Sequence, residues 1–173
     1  MSGPTFWTEE QKPRRVPIWV WLVGLPVLFL LTLVFSVPVV GVAKIQSNQV
    51  SAINSLRAIV EAESEYRNAY PDKGYSCTLQ ALGGDPGGGP PSPQGAELIQ
   101  SDLAWGVKSG YVFNLTNCTR ATVNNTERVT GYTVTAVPAV FGKSGQRGFC
   151  IDEKGEAPMY DPKGGTNCTQ KLQ

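Results

Sequence analysis

The run Ile18-Trp-Val-Trp-Leu-Val-Gly-Leu-Pro-Val-Leu-Phe-Leu-Leu-Thr-Leu-Val-Phe35 lies inside a longer stretch, Val16 to Ala43, that contains no charged residue. A helix needs roughly 20 apolar residues to cross the hydrocarbon layer of a bilayer, so this stretch is long enough to cross with some tilt. Trp19 and Trp21 stand at one end, where indole rings favour the headgroup level. Arg14 and Arg15 directly precede the run and Lys12 is close by, whereas the far flank offers Lys44 alone until Arg57. The positive-inside rule then places the N-terminus in the cytoplasm and the rest of the chain outside. Pro26 and Pro38 are compatible with a membrane helix, where a kink is tolerated if neighbouring groups satisfy the freed carbonyls. The competing reading is a secretory signal cut after Gly41-Val-Ala43, but the apolar run exceeds the usual span of about 7–15 residues. The expected organisation is a cytoplasmic tail over 1–15, a transmembrane helix over 16–43 and an extracytoplasmic domain over 44–173.

The helical pattern continues past Lys44. Ile45, Ala52/Ile53, Leu56 and Ile59/Val60 recur at helical spacing, with Gln49 and Glu63 interrupting the same face, and Pro71 stops the pattern after Tyr70. Lys44, Asn48, Ser51, Ser55, Arg57, Glu61 and Glu65 form the opposite, polar face. One nearly continuous helix is expected from about Ile18 to Tyr70, and its second half needs a sheet to pack on.

Beyond Pro71 the signals are shorter. A helical piece is expected over Thr78–Leu82 and a second over Ala96–Leu103. Between them, residues 83–95 are so rich in Gly and Pro that they read as an exposed flexible loop. Strands are expected at Tyr111–Leu115, at Val129–Val137 and at Gly148–Asp152, with a short last one near Glu156–Tyr160. In the second, Tyr132, Val134 and Ala136 share one face and Thr133, Thr135 and Val137 the other. The fold class is α+β: one long helix, then a small antiparallel sheet of three to four strands.

About 130 residues follow the apolar run, enough for one domain. The net charge of +1 favours no nucleic-acid partner. The chain has no histidine, which removes Ser–His and Cys–His nucleophiles and the commonest zinc and haem ligand, so neither an enzyme nor a cofactor is expected. Cys77, Cys118, Cys150 and Cys168 all follow the apolar run, and an even count in an oxidising compartment points to two disulfides. Three pairings are open. Cys77–Cys118 with Cys150–Cys168 is preferred because each joins a loop to a nearby strand region. A zinc site made of the four lacks any close C-x-x-C pair. Asn114, Asn117, Asn124 and Asn167 head N-x-[ST] sequons, which a region this rich in Asn and Thr produces by chance.

Several segments, taken in order, make a recognisable arrangement. They are Ser36-Val-Pro38, Ile45, Gln49-Val-Ser-Ala-Ile-Asn-Ser-Leu-Arg57, Ala62-Glu-Ser-Glu-Tyr66 and Leu79-Gln-Ala-Leu-Gly83. Leu98-Ile99, Lys108-Ser-Gly-Tyr-Val-Phe113, Tyr132-Thr-Val-Thr-Ala136, Gly145-x-Arg147-x-Phe149 and Asp152-Glu-x-Gly155 follow. The series resembles a bacterial subgroup of type IV pilin-like proteins and type II secretion pseudopilins over about Pro38 to Gly155. That resemblance implies a long N-terminal helix on a small antiparallel sheet and, as in some branches, calcium near the C-terminal loop, where Asp152, Glu153 and Asp161 are the candidates although their spacing fits no defined loop such as an EF-hand. The chain departs from the family pattern at the membrane end. Counting back from Pro38, the Gly–Phe junction cut by the prepilin peptidase would fall at Val16–Pro17, and the membrane Glu would fall at Trp21. The expected function is therefore a non-catalytic, single-pass structural subunit of a membrane assembly at the inner membrane. Its partners would be lipid and other membrane subunits, met through the apolar helix, and its domain would be periplasmic. The alternative is a pilin or pseudopilin that forms homo-oligomers in a filament.

Overall fold

The computed structural model describes residues 17–85 and 87–172; in the long helix, the side chains of residues 32–40 fall outside that description. The expected tail over 1–15, with Arg14 and Arg15, and the side chain of Pro38 lie outside the described residues. Helix α1 is Ile18–Ala69, close to the bounds read from the sequence. The chain divides into two compact units, Met1–Val40 and Gly41–Gln173.

In the first unit, every described side chain from Ile18 to Leu31 is exposed, Trp19 and Trp21 included. Among the described residues no helix is long and apolar enough to cross a membrane. The expected span over 16–43 runs through residues 32–40, so the described residues do not carry the transmembrane half of the expected fold.

The second unit is α+β, as expected. Its part of α1 buries Ala52, Leu56, Ile59, Ala62 and Tyr66 at helical spacing. These side chains share one core with Tyr111, Phe113, Tyr132, Val134, Ala136, Phe149 and Ile151 of the sheet. The buried arc is wider than the apolar stripe. Ser55, expected on the polar face, is 6% exposed. Asn48 donates to the Ser144 carbonyl at 2.9 Å, and Ser51 hydrogen-bonds to Ser109 at 2.9 Å.

The sheet corrects the expected strand count. It has six strands rather than three or four, all antiparallel and in sequence order. They are β1 Val107–Lys108, β2 Tyr111–Val123, β3 Thr126–Pro138, β4 Gly148–Asp152, β5 Met159–Asp161 and β6 Gln170–Lys171. Two-residue strands such as β1 and β6 are too short for alternation to reveal. The β2–β3 hairpin is longer than expected because Asn124 and Asn125 both adopt positive φ (51° and 61°) between the paired Val123 and Thr126. That is the two-residue turn whose twist matches the strands it joins. The register of β2 on β3 breaks between Thr116 and Thr119, where Asn117 has φ 52°. Such a bulge re-aims a side chain, and here the residue inside it is Cys118.

Helix α2, Leu79–Leu82, is capped by Thr78, whose hydroxyl accepts from the Ala81 N–H at 3.4 Å. The expected second short helix is corrected. Only Ser101–Ala104 of that stretch is helical (α3), and Ala96–Ile99 is irregular. The N–H groups of Ala96, Glu97 and Leu98 donate to the carbonyls of Ala81, Gly83 and Leu82 at 2.8–2.9 Å. Those bonds hold the segment against the end of α2, and Glu97 has φ 58°, a left-handed backbone state that a right-handed helix over 96–103 could not include. The Gly/Pro run 83–95 is irregular, as expected, but is held near its end, where the Tyr66 hydroxyl donates to the Pro93 carbonyl at 2.9 Å.

Leu56 has no exposed surface and lies at the centre of the helix–sheet contact. Leu56→Ala should lower the unfolding free energy by about 3 kcal/mol. Asn54→Ala, on the exposed side of the same turn, should cost less than about 0.5 kcal/mol. Urea titration with the disulfides intact checks both.

Candidate functional site

The four cysteines form two disulfides, Cys77–Cys118 and Cys150–Cys168, each with Cα atoms 6.0 Å apart. This is the preferred pairing of the three left open by the sequence. The first bridge ties the loop after α1 to the bulge in β2. The second ties β4 to the segment before β6.

The acidic candidates for calcium are not brought together. Asp161 pairs in register with Gly148, and Asp152 lies four residues further along β4, about 13 Å away at the usual strand rise. Asp161 is buried, and its oxygens accept from the N–H groups of Lys163 (2.8 Å) and Asn167 (3.1 Å). Asp152 accepts from the Lys154 N–H at 3.2 Å within its own turn. Among the described residues, no three His, Cys, Asp or Glu side chains gather as a metal site would require. The sequon residues Asn114, Asn117, Asn124 and Asn167 are all exposed. Asn117 and Asn124 have a structural use, because Asn is among the few residues that tolerate positive φ.

The group that stands out is Glu63. The sequence shows it only as a polar break in an apolar stripe. It is fully buried, and a carboxylate there must be hydrogen-bonded to be tolerated. The Ser76 hydroxyl donates to one oxygen at 2.6 Å and the Ser76 N–H to the other at 2.8 Å. Burial pushes the Glu63 carboxyl above its ordinary range, and the bonds from Ser76 and from the Cys77 backbone oppose that rise. Burial raises the Tyr132 hydroxyl too, and the Glu63 charge adds to it. That hydroxyl has no hydrogen-bond partner among the described residues. The Tyr75 ring meets Tyr132 edge-on at 4.8 Å, while Arg67 lies over Tyr75 at 5.1 Å and donates to its hydroxyl at 2.9 Å. The ensemble fastens the Ser76–Cys77 corner to α1.

A surface groove of about 540 Å³ runs between α1 and the 98–103 segment. Ser47, Val50, Ser51, Asn54, Leu98 and Ile99 are among its lining, a mixture of hydroxyl, amide and aliphatic groups suited to contact with another surface. A smaller one, about 330 Å³, lies beside the second disulfide and includes Asp152, Glu156 and Lys171.

The chain matches no family model, no curated protein and no solved structure.

Two predictions follow from this geometry. The 41-residue separation of the first bridge against 18 for the second makes its removal the more costly. Loop entropy gives about 4 kcal/mol for paired Ser replacement of Cys77 and Cys118 and about 3 kcal/mol for Cys150 and Cys168, readable by denaturant unfolding. For Glu63, the folded value lies above the ordinary 4.5. Its contribution to stability is therefore complete below that value and is lost as pH rises through the folded one. Glu63→Gln keeps the shape and cannot ionise. Its melting temperature should match the native protein's near pH 4 and exceed it by a margin that widens toward about pH 7.

Proposed function

We propose that the chain is a non-catalytic, single-pass subunit of a larger membrane assembly. It would be anchored in a bacterial inner membrane and present a pilin-like α+β domain on the periplasmic side. The observation that carries this reading is the uncharged run Val16–Ala43. Its described part, Ile18–Leu31, is apolar on all sides and exposed all round. A helix of that kind requires lipid or other protein about it. Arg14 and Arg15 ahead of the run orient it with the domain outside. Two disulfides fit an oxidising compartment. A long helix laid on an antiparallel meander supports the pilin-like part of the reading. Val16–Pro17 and Trp21 stand where a filament subunit would carry its cleavage junction and its membrane carboxylate, which favours a permanent anchor over a filament. The partners in this reading are membrane lipid and neighbouring subunits, met through the apolar helix.

The test is the intact mass of the protein extracted gently from its native membrane. The expected species keeps the whole Val16–Ala43 run and is lighter by the four hydrogens that two disulfides remove. A species cut after Val16 would replace this reading with a filament subunit. One cut after Ala43 would make the protein a secreted domain.

A further inference from the structure

The domain has two dissimilar ends, and the one nearest Gly41 is basic and apolar together. Three loops surround α1 there. Gly110, in the β1–β2 turn, lies against Asn48 and Ser144. The loop after β3 is folded on itself by the N–H groups of Lys143 and Ser144, both donating to the Val140 carbonyl, and is held to the helix by Asn48. The loop after β5 packs Gly164 against Phe141 and Pro138. Lys44 lies one helical turn from Asn48, toward Gly41.

This rim carries Lys44, Lys143, Arg147 and Lys163, all exposed. Asp102 is paired with Lys108 at 3.5 Å, and the buried Asp161 spends its oxygens on backbone N–H groups. Arg147 lies over the Tyr160 ring at 4.8 Å, a contact that leaves its charge in place. Among the described residues, none of the four has a carboxylate partner. Between them Val140 and Phe141 are 51% and 60% exposed at the tip of a closed loop. Exposed aliphatic and aromatic side chains ringed by unpaired cations match the boundary of an anionic bilayer. There cations gain from headgroup phosphates and apolar side chains gain from the acyl edge. The far end differs: the β2–β3 hairpin there carries Arg120 with Glu127, and Arg128 with Asp72, as charge pairs.

We infer that the rim formed by the loop Val140–Arg147, Lys44 and Lys163 rests on the anionic phospholipid surface beside the anchor, with Val140 and Phe141 at the acyl boundary. The inference rests on the anchor reading, since Gly41 continues directly from the apolar run. A domain held this way has a fixed tilt on the bilayer and presents its opposite end outward.

The test uses the full chain, isotopically labelled, in nanodiscs carrying nitroxide-labelled lipid, with nuclear magnetic resonance broadening as the readout. In discs containing phosphatidylglycerol, the Val140 methyls and the amides of 140–142 should broaden strongly, while the Asn124–Asn125 turn should not. Phosphatidylcholine alone, or the charge reversal Lys143→Glu with Lys163→Glu, should roughly halve that broadening. Equal broadening in both lipids would overturn the electrostatic docking. Broadening of residues 18–31 without 140–142 would overturn this inference and keep the anchor. No broadening at either place would overturn both. The amide spectrum of the double variant, unchanged away from the substitutions, separates lost docking from lost fold.

Discussion

The rest of the domain depends on the burial of one face of α1, from Ala52 to Tyr66, against one face of the sheet. A meander of six antiparallel strands has no crossover helices to cover it, so its apolar face must find cover elsewhere. Here one helix supplies it. Leu56 and Ile59 from the helix, and Tyr111, Tyr132 and Val134 from the sheet, have 2% exposure or less. The side chains that close the edges, Tyr75, Leu79, Leu82 and Leu103, come from the connection between helix and sheet. That connection therefore has to be long and irregular, and its Gly/Pro content answers a need for reach rather than for motion.

Glu63 sits in the middle of this contact and costs stability there. A methionine would fill similar space without the desolvation. The two Ser76 bonds determine what the carboxylate offers in exchange, namely a fixed position for the corner that leads into Cys77. Cys77 itself has φ 66°, an unusual backbone state for a non-glycine residue. A bridge between a strained corner and a bulged strand needs both halves held in place. The carboxylate holds one, and the Asn117 bulge sets the other. The Tyr132 hydroxyl, which has no hydrogen-bond partner among the described residues, leaves this polar network incomplete.

The strongly periodic parts were legible in the sequence. The bounds of α1, the face of Tyr132, Val134 and Ala136 and the limits of β4 could be read from spacing, whereas the cysteine pairing was one preference among three open ones. What was missed has physical reasons. Two-residue strands carry no period, and the Asn124–Asn125 turn lacks the glycine that usually announces a two-residue hairpin. The irregular Ala96–Ile99 segment is fixed by carbonyls of α2 and its cap residue Gly83, which are remote in sequence. Ser55 was assigned to the polar face because its side chain is polar, yet the 98–103 segment covers it. Of the candidate calcium residues, Asp152 and Glu153 are neighbours in sequence, but the β4–β5 pairing carries Asp161 to the other end of the strand. Glu63 is visible as an exception to its stripe. What it binds is not, because Ser76 is thirteen residues away across a helix end.

The two disulfides and the two shortest strands answer the same problem. A sheet with open edges invites pairing with other chains, and short edge strands limit that. β1 and β6 are two residues each and offer little ladder of their own, although β2 runs on past β1 from Phe113 to Val123 without a strand on its outer side among the described residues. Short edge strands contribute little cohesion of their own, however. β6 is exposed at both residues and pairs with a three-residue neighbour. The Cys150–Cys168 bridge compensates by fastening the chain two residues before β6 to β4, a central strand. The Cys77–Cys118 bridge does the corresponding work for the hairpin arm of β2, which runs beyond the helix with largely exposed side chains. Its Thr-rich sequence suits a ribbon that is wet on both faces. Each covalent link therefore joins the helix–sheet core to a segment outside it, since Cys150 is buried in the core and Cys118 packs against it.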